Sequence, residues 1–186
     1  NNKHKEGMIF ISDNQKNGRG RHNRLWHTNP NFHLAFSLIL CPDIDSKKSG
    51  LISIMAGVAV VEGLKKNTDI DFTLKWPNDI IYQNKKVGGI LIETKNINSK
   101  LVYVIGIGIN LNEQLNDFPL EIQSLATSLS IISKKNHSKE IILFQILNQF
   151  KNNYNKINSI HSKWISLCSH IDQNITFHLN NQIISG

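Results

Sequence analysis

Apolar residues recur with period two in several short stretches of the chain and with a period near 3.6 in others, so both strands and helices are predicted. Met8 to Ser12 reads as a short strand, and Phe32 to Leu40 as a buried strand that ends near Cys41-Pro42. Apolar positions 51, 54, 55, 58, 61 and 64 follow Ser49, which predicts a helix capped by that serine and running to about Lys66. Phe72 to Lys75 is a strand that stops at Trp76-Pro77-Asn78-Asp79, a turn signature. Ile80 to Tyr82, a turn at Gln83 to Lys85, and Lys86 to Thr94 predict a hairpin. Leu101 to Ile109 alternates as a strand and runs into Gly106-Ile-Gly108-Ile-Asn110. A short helix is predicted over 124–132, a longer one from its Ser138 cap to about Tyr154, and further helix from Ser159 to Cys168. After Asp172 the pattern changes to a hairpin over 175–179 and 182–185, joined at Asn180-Asn181.

Strands and helices in this irregular order predict an α+β fold, a mixed β-sheet packed by helices on one side. A boundary near 170 separates a core domain, 1–170, from the beginning of a second β unit, 171–186. Residues 13–31 carry Asn, Gly, Asp and Pro without any period and form one long loop. Loops of that length inside a compact domain are usually functional or disordered.

At 186 residues with 40% hydrophobic and 19% charged side chains, the chain suits one globular core. Its longest apolar stretch, Leu51 to Val61, falls far short of the ~20 residues a bilayer requires. Cys41 and Cys168 lie far apart with no C-x-x-C spacing, which predicts neither a disulfide framework nor a zinc site and makes the cytoplasm the expected compartment. The formal charge of +7 would suggest nucleic acid as a partner. Composition gives a duller cause. The chain holds 28 Ile, 24 Asn and 18 Lys against 3 Arg, a bias towards residues with A/T-rich codons, and its lysines are scattered.

That bias makes the arginines informative. All of them fall in Gly18-Arg-Gly-Arg-His-Asn-Arg24. A planar guanidinium forks onto carboxylate or phosphate in a way lysine does not reproduce, so this segment is predicted to bind an anion. A flexible basic surface loop is the bland alternative.

Other motifs are weaker taken singly. Gly106-Ile-Gly108-Ile-Asn110 lacks the third glycine and the following helix of a dinucleotide fingerprint. Its glycines are expected to let a ligand or another backbone approach the sheet, and Asn110 either reads a base edge or simply forms a turn. Asn78-Asp79 is a turn pair that also delivers a carboxylate to a strand end. The hairpin should bring Asp79 near Lys86, which on an open surface would be an ion pair worth ~0–1 kcal/mol. The histidines lack metal-ligand spacing, and no nucleophile signature occurs.

Taken in order, Gln15-x-x-Gly18-Arg-Gly-Arg21-x-x-Arg24-x-Trp26, Lys75-Trp-Pro-Asn-Asp79, Lys86-Val-Gly-Gly-Ile-Leu91, Gly106-Ile-Gly-Ile-Asn110 and Ala126-Thr-Ser-Leu129 resemble the catalytic domain of biotin–protein ligases. The similarity covers about residues 8–170. The resemblance implies a core like that of class II aminoacyl-tRNA synthetases, followed by the start of a small SH3-like C-terminal domain. It implies activation of biotin by MgATP to biotinyl-5′-AMP with release of pyrophosphate. Transfer to one lysine of a biotin carboxyl carrier protein, commonly that of acetyl-CoA carboxylase, would follow.

The implied site residues follow from the same matches. Lys86, Arg21 and Asp79 match the catalytic positions, with Asp79 the candidate for positioning or deprotonating the acceptor amine. Gln15, Arg19, Gly20, Arg21, Lys86 and Gly88 match biotin contacts. Arg21, Trp26, Asn110 and Lys86 match contacts to ATP or the adenylate, Trp26 packing at the nucleotide end and Asn110 reading adenine. Mg2+ is expected to arrive on ATP, and no protein ligand for it is assigned.

Three departures qualify the match. The family's Ser-Thr-Asn stretch, some twenty residues before Gln15, lies before this chain begins. His22-Asn23 stands where many members have Arg-Gly. The C-terminal domain is represented by one hairpin. Weaker biotin binding and impaired transfer are therefore expected of the chain as given. With no winged-helix segment ahead of the first strand, DNA is not an expected partner, nor is a membrane. Leu101 to Ile109, read as an exposed edge strand, could pair with a second subunit to form a homodimer. The arginine loop is expected to be mobile without ligand, because ordering ten or more residues costs on the order of 10 kcal/mol. A lipoate–protein ligase is the nearest alternative, and a ligand-sensing repressor core without full activity is the alternative from another class.

Overall fold

In this computed structural model, residues 6–174, 176–179 and 182–185 are described. A six-stranded antiparallel sheet is built from β1 (Ile9–Ser12), β2 (His33–Leu40), β3 (Thr73–Lys75), β4 (Asp79–Tyr82), β5 (Lys85–Ile97) and β6 (Lys100–Asn110), in the spatial order β1-β2-β6-β5-β4-β3. Three helices, α1 (Gly50–Thr68), α3 (Lys139–Tyr154) and α4 (Ile160–Leu167), pack against this sheet and each other, and α2 (Leu129–Ser133) is a single short turn. This is the expected α+β fold. Parallel pairing among the described residues is confined to the isolated bridges Leu74–Cys168 and Lys86–Ala126.

Alternation sets the two faces of the sheet. Leu34, Phe36, Leu38 and Leu40 of β2 and Tyr103, Ile105, Ile107 and Ile109 of β6 point to the helices and form the core. The intervening residues face the other way. Helix α1 is buried nearly all round, from Ile52 to Leu64, because the sheet lies on one side of it and α3 and α4 on the other. Small residues permit this: a side chain at Gly63 would lie 2.6 Å from the Ile146 backbone of α3. The predicted apolar positions 55, 58, 61 and 64 are fully buried, while Leu51 and Ile54 are only partly so.

Several boundaries differ from those predicted, each for a local reason. Ser49 precedes α1 without a side-chain cap, its hydroxyl bonding instead to the Ser46 carbonyl and the Tyr103 phenol. Strand β5 runs on to Ile97, because a tight turn at Asn98-Ser99, with φ of 50° and 62°, lets Lys95, Asn96 and Ile97 continue the ladder with β6. The helix predicted over 124–132 begins only at Leu129, capped by Ser128, since Ala126 is spent on the bridge to Lys86. Ser138 caps α3 as predicted, its Oγ accepting from the Ile141 N–H at 3.2 Å.

One expectation is corrected. Residues 101–109 are not an edge: β6 is paired on both sides, by β2 and β5. Hydrogen bonding to a hidden central strand gives the same alternation as an edge, so pattern alone could not separate them. Beyond Asp172, β7 (Thr176–Leu179) and β8 (Gln182–Ser185) form a separate two-stranded hairpin. Ile175, Asn180 and Asn181 of the predicted hairpin lie outside the described residues. Cys41 and Cys168 are free, and no helix of the described residues is long and apolar enough to cross a membrane.

Candidate active site

The sheet face turned away from the helices carries a cavity of about 830 Å³. Register explains its floor. Ala35, Gly108, Gly89, Asp79 and Lys75 stand opposite one another in consecutive strands, from β2 across β6, β5 and β4 to β3. The next row contains Ser37, Gly106 and Leu91. The glycines leave the middle of this floor bare, and two side chains occupy the space. The Trp26 indole lies over Gly108, where a Cβ would come within 2.5 Å of the ring. The Lys86 amine lies over Gly89, 3.4 Å from where a Cβ would stand.

Lys86 reaches this face through a bulge. The β4–β5 ladder steps from Ile80–Gly88 to Ile81–Lys86, leaving Val87 as the extra residue and turning Lys86 towards the cavity. Its Nζ is 2.6 Å from Asp79 Oδ1 and 5.6 Å from the centre of the Trp26 ring. The contact with Asp79 is an ion pair without a well-angled hydrogen bond, since Oδ1 has no donor in good geometry. Both side chains are about one-third exposed, at 35% and 28%. The pair is therefore less screened than an open-surface one.

The surrounding backbone fixes these groups. Asn78 Nδ2 donates to the Ile90 carbonyl at 2.8 Å and the Ile90 N–H donates to the Asn78 carbonyl at 2.9 Å, pinning the turn that carries Asp79 onto β5. The Lys86 N–H donates to the Leu125 carbonyl at 2.7 Å, and the Thr127 N–H donates to the Lys86 carbonyl at 2.9 Å. Asn110 Nδ2 donates to the carbonyls of both Lys86, at 3.3 Å, and Thr127, at 2.9 Å.

Over the floor folds a narrow tongue formed by the loop before β2. Arg19 and Leu25 form an antiparallel bridge, with the Gly20 N–H donating to the Arg24 carbonyl and the Trp26 N–H to the Gly18 carbonyl, each at 2.8 Å. At its tip, His22 and Asn23 both adopt left-handed backbone, with φ of 54° and 57°. Such conformations are strained for residues other than glycine and are commonest where function demands them. Arg19 reaches Glu93 on β5 at 3.3 Å, both side chains well exposed. At the base, Thr28 Oγ1 donates to the Gln15 carbonyl, Asn29 Nδ2 donates to the Asp117 carbonyl, and the buried His33 ring lies 2.6 Å from the Asn29 carbonyl through Nδ1. Burial holds the His33 pKa below its ordinary value, so the ring is neutral and donates here. Glu113 is buried, and that burial pushes its carboxyl up to about 7.

Of the residues singled out from the sequence, Gln15, Arg19, Gly20, Arg21, Trp26, Asp79 and Lys86 all line the one cavity. Two do not. Gly88 faces the core side, where a Cβ would strike the Ile109 side chain at 2.7 Å, and Gly89 takes its place on the floor. The strand period, with the bulge counted, would have given this. Asn110 is buried at the end of β6 and ties the Lys86 strand to Thr127 instead of lining the cavity. Lys75, Leu91 and Glu93 were missed, though Lys75 stands directly opposite Asp79.

Four of the five quoted motifs, joined by Phe36-Ser37 of β2, thus converge on one glycine-floored cavity, and comparison with known proteins bears on which family builds it. The model of the biotin/lipoate A/B protein ligase family matches residues 1–110. The chain belongs to that family. It is 40% identical over 155 residues to the bifunctional ligase/repressor BirA of Bacillus subtilis, covering 83% of this chain and 48% of that protein. It is 30% identical over 128 residues to the biotin–[acetyl-CoA-carboxylase] ligase of Mycobacterium tuberculosis, covering 67% of this chain and 45% of that one. The chain spans about half the length of these relatives. Among solved structures, the Aquifex aeolicus biotin protein ligase in complex with biotin and ATP superposes with a TM-score of 0.83 at 32% identity, over 97% of this chain and 76% of that one.

Proposed function

We propose that this chain is the catalytic core of a biotin–protein ligase, activating biotin with ATP and passing it to a lysine of a biotin carboxyl carrier protein. The observation that carries the reading is the Lys86 amine held over bare floor between Trp26, Asp79 and an arginine tongue. In the first step a carboxylate oxygen attacks the α-phosphorus. Two unit negative charges ~4 Å apart repel by about 4 kcal/mol at an effective dielectric of 20, so a cation must stand between them. Lys86 is placed to do so, with Arg21 on the tongue above. The B. subtilis and M. tuberculosis relatives are named as ligases, and the Aquifex protein was solved with biotin and ATP.

In this reading Gln15, Arg19 and Gly20 hold biotin along the second floor row beside Gly106 and Leu91. Trp26 packs on the nucleotide. Asn110 serves the site from behind, its amide holding the Lys86 and Thr127 carbonyls in place. Once the α-phosphate draws Lys86 away, the Asp79 carboxylate is released to take the proton of the incoming lysine amine. Mg2+ enters on the triphosphate oxygens, where it neutralises charge. No group of three or more His, Cys, Asp or Glu among the described residues forms a cage for it. The tongue excludes water from the mixed anhydride. Thr176–Leu179 and Gln182–Ser185 form a β unit separate from the core sheet, the protein works in the cytoplasm, and the outer part of β5, beyond the end of β4, is the edge on which two subunits would pair. The test is formation of biotinyl-5′-AMP and pyrophosphate from biotin and ATP, with lipoate as the competing acid. A steeply salt-dependent affinity for DNA without adenylate would favour the repressor reading instead.

A further inference from the structure

We infer that Lys75 is the seat of the leaving pyrophosphate, an anion subsite at the outer end of the floor row; this rests on the ligase reading. Lys75 stands directly opposite Asp79 in the β3–β4 ladder, and its side chain lines the cavity. The row therefore runs from Trp26 over Gly108, through Lys86 over Gly89 and Asp79, to Lys75 at the sheet edge. Adjacent strands are about 4.8 Å apart, so Lys75 sits roughly 10 Å along the row from the strand under the Lys86 amine. A lysine side chain covers much of that distance.

Charge accounting points the same way. Two cavity cations are already engaged, Lys86 with Asp79 and Arg19 with Glu93. Among the described residues Arg21, Arg24 and Lys75 have no ion pair, and of these Lys75 alone stands on a strand of the floor row, next to Asp79. Lys86 is taken up with the reacting carboxylate and α-phosphate, so the β- and γ-phosphates need another cation. In the step itself the carboxylate oxygen forms a bond to the α-phosphorus and the bond from that phosphorus to the bridging oxygen breaks. Its electron pair leaves on pyrophosphate. A cation at Lys75 stabilises that growing charge and sits where Asp79 would otherwise repel it.

The test is titration calorimetry of inorganic pyrophosphate into the whole chain, comparing wild type, Lys75→Ala and Lys75→Arg. A non-hydrolysable biotinyl-5′-AMP analogue, which lacks the β- and γ-phosphates, is titrated alongside. Lys75→Ala should weaken pyrophosphate binding about tenfold, as loss of one charge-assisted contact does. Lys75→Arg should recover part of it, and the analogue should bind all three within twofold. Pyrophosphate binding unchanged in Lys75→Ala, no pyrophosphate binding by wild type, or equal weakening of both ligands would each overturn the subsite. If the lysine-dependent binding appears but biotin and ATP give no adenylate, the ligase reading fails and the anion site stands. If adenylate forms and pyrophosphate ignores Lys75, the reverse holds.

Discussion

The Lys86 amine and the Asp79 carboxylate, on neighbouring strands either side of a bulge, lie 2.6 Å apart over a floor of glycine. Each group is needed in a different half of the proposed reaction, and the pairing links the halves. While Lys86 rests on Asp79, the carboxylate is engaged with the amine. Drawing Lys86 onto phosphate releases it. The two substitutions should therefore separate. Lys86→Ala should lower adenylate formation by about 10²–10³, the cost of removing one preorganised transition-state donor.

Asp79→Asn should leave adenylate formation within an order of magnitude and slow transfer to the carrier lysine by about 10²–10⁴. Single-turnover transfer from preformed biotinyl-5′-AMP measures this directly. Equal loss in both steps would mean that Asp79 acts only by holding Lys86.

Gly108 is committed to the Trp26 ring. Gly108→Ala would put a methyl 2.5 Å from the indole. The expected result is about 1–3 kcal/mol of lost stability, the usual cost of overpacking, together with displacement of the tongue. Denaturant unfolding gives the first quantity, and Trp fluorescence on adding ATP reports the second.

The tongue has a stable anchor and a thin tip. Trp26 and the Gln15–Thr28 contact fix its base, whereas residues 18–24 hold on by three backbone hydrogen bonds and the exposed Arg19–Glu93 pair. Hydrogen exchange should show residues 18–24 weakly protected alone and strongly protected with the adenylate analogue. Glu93→Ala should leave global stability within about 0.5 kcal/mol, because exposed ion pairs contribute little, while speeding exchange at the tip.

Glu113 gives a prediction about pH. Its carboxyl is raised from 4.5 to about 7 by burial, so the folded state binds this proton more tightly than the unfolded chain. Stability from this group is full below pH 4.5, declines as pH rises towards 7, and stays lost above it. The shift corresponds to roughly 3 kcal/mol. Glu113→Gln should flatten that part of the profile and raise the Tm at pH 8 relative to wild type.

Much of this was legible in the sequence, and the rest failed for identifiable reasons. The helices over 50–68 and 139–154 and the hairpin at 83–84 follow from period and turn chemistry. So does the concentration of arginine in one loop. Spacing along the chain could not show the cross-strand row from Ala35 to Lys75, because register between distant strands is set by pairing. That is why Lys75 and Glu93 escaped notice. Likewise Val87 as a bulge residue, which decides where Lys86 points, has no local signal in Lys86-Val-Gly-Gly.

The most direct test of the central proposal is to incubate the chain with biotin, ATP and Mg2+ and follow biotinyl-5′-AMP and pyrophosphate together, with lipoate and Lys86→Ala in parallel. The account predicts equal amounts of both products from biotin, far less from lipoate, and a loss of about 10²-fold or more in the variant. Adenylate from lipoate in preference to biotin, or a Lys86→Ala rate equal to wild type, would contradict it.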